Sequence, residues 1–165
     1  MKSLKTLLTT LVIVLLTVSS ASAQYVQIGT ATGQNTGTVA SPINIWYESM
    51  HYQTIYTVAE LQAAGFAPGA IIQELGWDVI TPSTTAMPNY TIRIGNTTNA
   101  TSTIANHVLS STLTQVYMNP SYMPTTGFDM LVFSTPFIWT GSDNIVVDVC
   151  WSPTTYSQSG VVSTF

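Results

Sequence analysis

Two histidines, one cysteine and seven carboxylates are the whole stock from which this 165-residue chain could build a reactive site. Nucleophilic catalysis would have to use His51 or His107. No G-x-S-x-G turn presents a serine, although the members of a Ser/His/Asp triad need not be neighbours in sequence. With Ser and Thr so abundant, nearness to a histidine would carry little weight. His51 is read as lying in a turn and His107 in the polar stretch 96–111. Paired carboxylates are the next option. Glu74 and Asp78 share one face of a strand, but four residues at about 3.3 Å each put them about 13 Å apart. Glycosidase pairs sit roughly 5–9.5 Å apart. Asp143 and Asp148 have odd spacing and face opposite sides of a strand. A cross-strand pair such as Glu74 with Asp148 stays open, against the plainer reading of acids on a solvated sheet face. No enzyme is expected.

Metal chemistry is nearly as sparse. Zinc needs His and Cys at ligand spacing, and that spacing is missing. Calcium prefers oxygen ligands. Asp143 and Asn144, in the run TGSDN at 140–144, are the calcium candidates, although the same run reads as an ordinary turn. No other cofactor is called for. Sugar binding would use exposed aromatic platforms. Trp46, Tyr47, Tyr52 and Tyr56 cluster in sequence and are the candidates, with core or cross-strand packing as the favoured alternative. Trp77 and Trp151 fall on apolar strand faces and are assigned to the core.

The elements that must position these residues follow from composition. Hydrophobic residues make up 45% of the chain and charged residues 6%, where ordinary domains carry about 25% charged residues. The three bases, Lys2, Lys5 and Arg93, are too few to neutralise a phosphate backbone, so nucleic acid is excluded as a partner. MKSLK, then LLTTLVIVLLTV, then SSASA has the order of a secretory signal peptide over residues 1–23, with Ala21-Ser22-Ala23 as the cleavage site. Removing it leaves Arg93 as the only base against seven acids, a balance of −6. No later segment is long enough to span a bilayer. The mature protein is therefore expected to be secreted or held at the cell surface.

Residues 24–165 are expected to form one all-β domain, an antiparallel β-sandwich of jelly-roll-like or immunoglobulin-like type. Strands are predicted at 43–47, 52–56, 70–81, 89–95, 113–118, 128–134, 144–151 and 160–165. One short helix is predicted near 58–64, where Thr57 and Glu60 form a capping box and Gly65 and Pro68 mark the stop. Ile71, Leu75, Trp77 and Val79 should share a buried face with Ile145, Val147, Val149 and Trp151.

Two long runs carry a resemblance: WYESMHYQTIYTVAELQAAGFAPGAIIQELGWDV and STPFIWTGSDNIVVDVCW. They resemble the N-terminal β-sandwich modules of large secreted surface proteins of the Bacteroidota. Such proteins carry fibronectin-type-III or similar repeats and end in a type IX secretion sorting domain. The resemblance covers nearly all of residues 25–155, and its motifs are structural. It implies a non-catalytic, adhesin-like structural module whose partners are other domains of the same polypeptide or extracellular ligands. A carbohydrate-binding module attached to a secreted hydrolase is the alternative. Family modules continue beyond this length, often with another cysteine, so the resemblance also implies a domain cut short at Phe165. Cys150 is then either half of a disulfide with a partner beyond Phe165 or a buried free thiol, since oxidising compartments favour pairing. A last strand cut short would leave an open edge for self-association.

Overall fold

The computed structural model describes residues 24–30, 32–35, 40–46, 49–152 and 161–164. The leader expected at 1–23 and Tyr47 lie outside these residues. Among the described residues the chain forms eight strands: β1 (Gly33–Gln34), β2 (Met50–Tyr56), β3 (Ile71–Thr81), β4 (Met87–Thr97), β5 (Thr114–Tyr122), β6 (Gly127–Ile138), β7 (Asn144–Trp151) and β8 (Val161–Thr164). One α-helix, α1 (Val58–Ala63), joins β2 to β3.

The strands pair outward from the middle of the chain. β4 pairs with β5, β3 with β6, β2 with β7 and β1 with β8, all antiparallel. This long hairpin rolls over into two four-stranded sheets, ordered β1-β8-β3-β6 and β2-β7-β4-β5. The order is that of a jelly roll. Period-two alternation turns one face of each sheet inward. Val79, Leu131, Phe133 and Phe137 of the first sheet meet Tyr90, Ile92, Val147, Val149 and Trp151 of the second in one buried cluster.

The helix forms as its sequence dictates. Thr57 Oγ1 accepts from the Glu60 backbone N–H at 3.3 Å, and Glu60 Oε2 accepts from the Thr57 backbone N–H at 2.8 Å. These reciprocal bonds satisfy two donors that a first turn leaves bare. Leu61 is buried, and Gly65 ends the helix at φ +97°, a backbone region that favours glycine. The closing turn and the core contact fix so short a helix.

Three segments depart from the sequence-based expectation. Residues 43–46 form no strand, although Ile43 and Ile45 are fully buried. Two local bonds shape the segment: Asn44 N–H donates to Ser41 O, and Asn44 Oδ1 accepts from Trp46 N–H at 2.9 Å. Such side-chain bonds compete with a ladder. In β3 the register shifts between Ile72 and Glu74, so Ile72 packs inward and Ile71 is 59% exposed. A bulge of this kind reverses the facing of everything on one side of it. Finally, β8 is not an edge. It lies between β1 and β3, with Val162 buried, so the open edge expected at the last strand is covered. The first sheet instead ends at β1 on one side and β6 on the other.

Candidate functional site

Chemistry-bearing side chains gather on the outer face of the second sheet. Val147, Val149 and Trp151 point into the core, so the intervening Asp148 and Cys150 of β7 point out. Strand register then brings neighbours beside them. Asp148 lies between Gln53 of β2 and Arg93 of β4, and Cys150 lies between His51 of β2 and Thr91 of β4. His51 is therefore a strand residue, not the turn residue expected. Strand β2 begins at Met50.

An outward-facing carboxylate would normally be solvated, yet Asp148 is 0% exposed. The β4–β5 connection covers it. That connection carries two short 3-10 turns, Ile104–Asn106 and Ser110–Thr112, and folds back over the sheet. Gln53 fastens it twice, donating from Nε2 to Val108 O at 2.7 Å and accepting Val108 N–H on Oε1 at 2.9 Å. Asn99 Nδ2 donates to Asn106 O at 3.0 Å inside the connection. Leu113 lies over Gly95, where an added Cβ would meet Leu113 Cδ2 at 2.5 Å. Glycine at 95 lets the covering segment lie flat.

Beneath this cover, every neighbour of Asp148 offers a donor. Gln53 Nε2 donates to Oδ1 at 2.9 Å, and Ser110 Oγ donates to Oδ2 at 2.9 Å. His51 Nε2 bonds Oδ1. Arg93 Nη1 stands 3.7 Å from Oδ2, and the Cys150 thiol 3.8 Å from it. Burial of an ionised carboxylate is costly unless it is paired and hydrogen-bonded. Here Arg93, the only base outside residues 1–23, is spent on that task. Cys150 carries the opposite consequence. Burial, then the negative charge of Asp148, pushes its thiol up to about 11, although Arg93 at 3.9 Å pulls it back. A thiol held protonated is a poor nucleophile.

Ser110, His51 and Asp148 are all present, but not in triad order. A triad places serine on one ring nitrogen of histidine and the carboxylate on the other. In this site Ser110 Oγ, at 3.4 Å, and Asp148 both approach His51 Nε2, and Ser110 donates directly to the carboxylate. The second histidine, His107, packs edge-on against His51 with ring centroids 5.2 Å apart. Glu74 and Asp148 do not meet. Glu74 is on β3 of the first sheet, and the two acids occupy opposite outer faces of the sandwich.

The other candidates are placed separately. Tyr52 and Tyr56 pack against the core from β2, while Trp46 is 49% exposed. Tyr47 lies outside the described residues. In the TGSDN run, Thr140 Oγ1 donates to Asp143 Oδ2 at 3.2 Å, and Asp143 O accepts from Trp139 Nε1 at 2.7 Å. Asn144 Oδ1 accepts the first N–H of α1 from Val58 at 2.8 Å, and its Nδ2 donates to Asn99 O at 2.8 Å. Both residues therefore act as ties between turns. Cys150 is a free thiol among the described residues.

Sequence reasoning missed Gln53, Arg93 and Ser110 as members of one cluster. One signal was available: an acid inside the apolar strand NIVVDVCW needs a countercharge, and Arg93 is the only base outside residues 1–23. No protein-family model, curated protein or solved structure matches the chain.

Proposed function

We propose that this protein is a non-catalytic structural module of a larger exported bacterial surface protein, of the Bacteroidota type that its sequence resembles. The observation that carries the reading is the outer face of the first sheet. Phe128 is 61% exposed, Val132 68% and Ile138 62%, beside Ile71 at 59%. Ile71 and Ile138 are direct cross-strand partners at one end of the β3–β6 pair, with Val132 and Phe128 further along β6. Single exposed apolar residues are common on protein surfaces; what singles these out is that all four lie on one outer face, which we assign to contact. In a module, that contact is with a neighbouring domain of the same polypeptide. The polar cluster under the β4–β5 connection supports the same reading, because its donors are consumed in holding the connection to the sheet.

Three measurements test the proposal. Expressed with its own leader in a bacterium, the protein should be exported and its intact mass should begin at Gln24. Against ester, amide and glycoside reporters it should show no turnover, and a rate lost in Ser110→Ala or His51→Ala would replace this reading with an enzyme. On a glycan array it should bind nothing. Binding that disappears in Trp46→Ala would instead favour a carbohydrate-binding module.

A further inference from the structure

We propose that His51, Asp148 and Cys150 form a binding site for a zinc-class divalent cation. Imidazole, carboxylate and thiolate are the three donor types that zinc accepts from proteins. In this structure the donor atoms of the three residues all lie within 4.8 Å of one another. Tetrahedral zinc with bonds of about 2.0–2.3 Å spaces neighbouring donors roughly 3.3–3.8 Å apart. Asp148 Oδ2 and Cys150 Sγ are 3.8 Å apart. Sulfur and imidazole together select zinc and its softer neighbours over calcium or magnesium.

The scaffold is suited to the task. His51 and Cys150 are direct cross-strand partners, and Asp148 precedes Cys150 by two residues on the same face. All three ligands thus come from the adjacent paired strands β2 and β7. Outer groups already hold the carboxylate: Gln53 and Ser110 each at 2.9 Å and Arg93 at 3.7 Å. Such partners orient a ligand toward the metal. Three protein ligands leave a fourth position, and the His51 side chain is 43% exposed, which gives solvent and metal a way in. Binding balances simply. The Cys150 S–H proton leaves to solvent and the sulfur lone pair forms the metal–sulfur bond. His51 gives up its Nε2–H bond to Asp148 Oδ1, that proton passes to solvent while Nδ1 takes one up, and the freed Nε2 lone pair coordinates the metal. Carboxylate and thiolate supply two negative charges against the cation's two positive ones.

This inference is independent of whether the protein is a structural module, and its test does not use that reading. The purified protein is titrated with Co2+ alone and then with Zn2+ as competitor. Expected are saturation at one Co2+ per chain, a sulfur-to-cobalt charge-transfer band, intense tetrahedral d–d absorption, and loss of both when Zn2+ is added. Cys150→Ser should abolish the charge-transfer band. His51→Gln should weaken binding beyond the roughly 10–100-fold that loss of an outer-shell partner costs. Asp143→Asn, in the TGSDN turn, should leave binding unchanged. Circular dichroism and thermal melts establish that each variant is folded; because His51 lies at the solvent-open side, His51→Gln remains informative if Cys150→Ser does not fold. Absence of saturable binding, absence of the sulfur band, or a cobalt affinity unchanged in His51→Gln overturns the proposal.

Discussion

Replacing Asp148 by asparagine keeps the side chain's shape and reverses half of its hydrogen-bonding character. The wild-type carboxylate receives donors on both oxygens, from Gln53 and His51 on Oδ1 and from Ser110 on Oδ2, with Arg93 alongside. Asparagine offers one acceptor oxygen and one NH2 group. Turned one way its N–H groups face the Gln53 donor; turned the other they face Arg93, with only the Ser110 hydroxyl able to reverse and accept. One side of the network is lost and the Arg93 charge is left without its partner. Hydrogen bonds to charged groups are worth about 1.5–3 kcal/mol each, and removing one member of a buried ion pair costs about 3–5 kcal/mol. The Arg93 pair is long and the arginine is partly exposed, with 26% of its side chain accessible, so its share is the smaller one. The expected loss is about 3–4 kcal/mol, a large part of the 5–15 kcal/mol typical of a domain. Urea denaturation followed by tryptophan fluorescence and circular dichroism measures it. The midpoint should fall with little change in slope. Arg93→Met alone should cost less, and the double variant less than the sum of the two. A loss below about 1 kcal/mol for Asp148→Asn would refute the reasoning, because it would mean that the converging donors do not depend on the charge.

Other parts of the structure lead to equally direct expectations. Trp139 is fully buried, touches Phe66 edge-on and donates to Asp143 O, so Trp139→Ala should cost about 3–5 kcal/mol in the same urea assay. Thr57→Ala removes the side-chain half of the capping box and should cost about 0.5–2 kcal/mol at neutral pH. Glu60 is held below the ordinary glutamate range, first by the Thr57 backbone N–H and then by the Thr57 side chain. Its folded value is depressed, so its contribution is present above the unfolded value of about 4.3 and fades as pH falls through the folded one. Melting temperatures of wild type and Glu60→Ala should therefore converge on acidification. Cys150, pushed up to about 11, should alkylate with iodoacetamide much more slowly at mildly alkaline pH in the folded protein than in urea, as quantified by intact mass.

Local rules made much of the fold legible. Alternating residues in AIIQELGWDVIT, NYTIRIG and NIVVDVCW marked three strands, and all three are present as parts of β3, β4 and β7. Thr57 and Glu60 marked α1 because a capping box is made within one turn of chain. The all-β class followed from the same patterns and from a composition poor in charge. Export and function are different in kind: residues 1–23 and the family-like motifs set the expectation, and the outer-face residues Phe128, Val132 and Ile138 add support.

Only the tertiary structure decided what required distant segments to meet. Whether the sandwich is a jelly roll or immunoglobulin-like depends on which strands pair, and pairing β1 with β8 joins the first and last of the described strands. The inward turn of Ile72 in place of Ile71 depends on a bulge between Ile72 and Glu74, set by how β3 meets β6. His51 and Cys150 have no spacing that a motif could register, yet β2 and β7 place them side by side. The covering of Asp148 depends on a loop that reaches back across its own sheet and is fastened by Gln53. Alternation tells each residue which face it takes, because that is a property of one strand. It cannot tell which residue stands opposite, because register is settled by the packing of two whole sheets against each other.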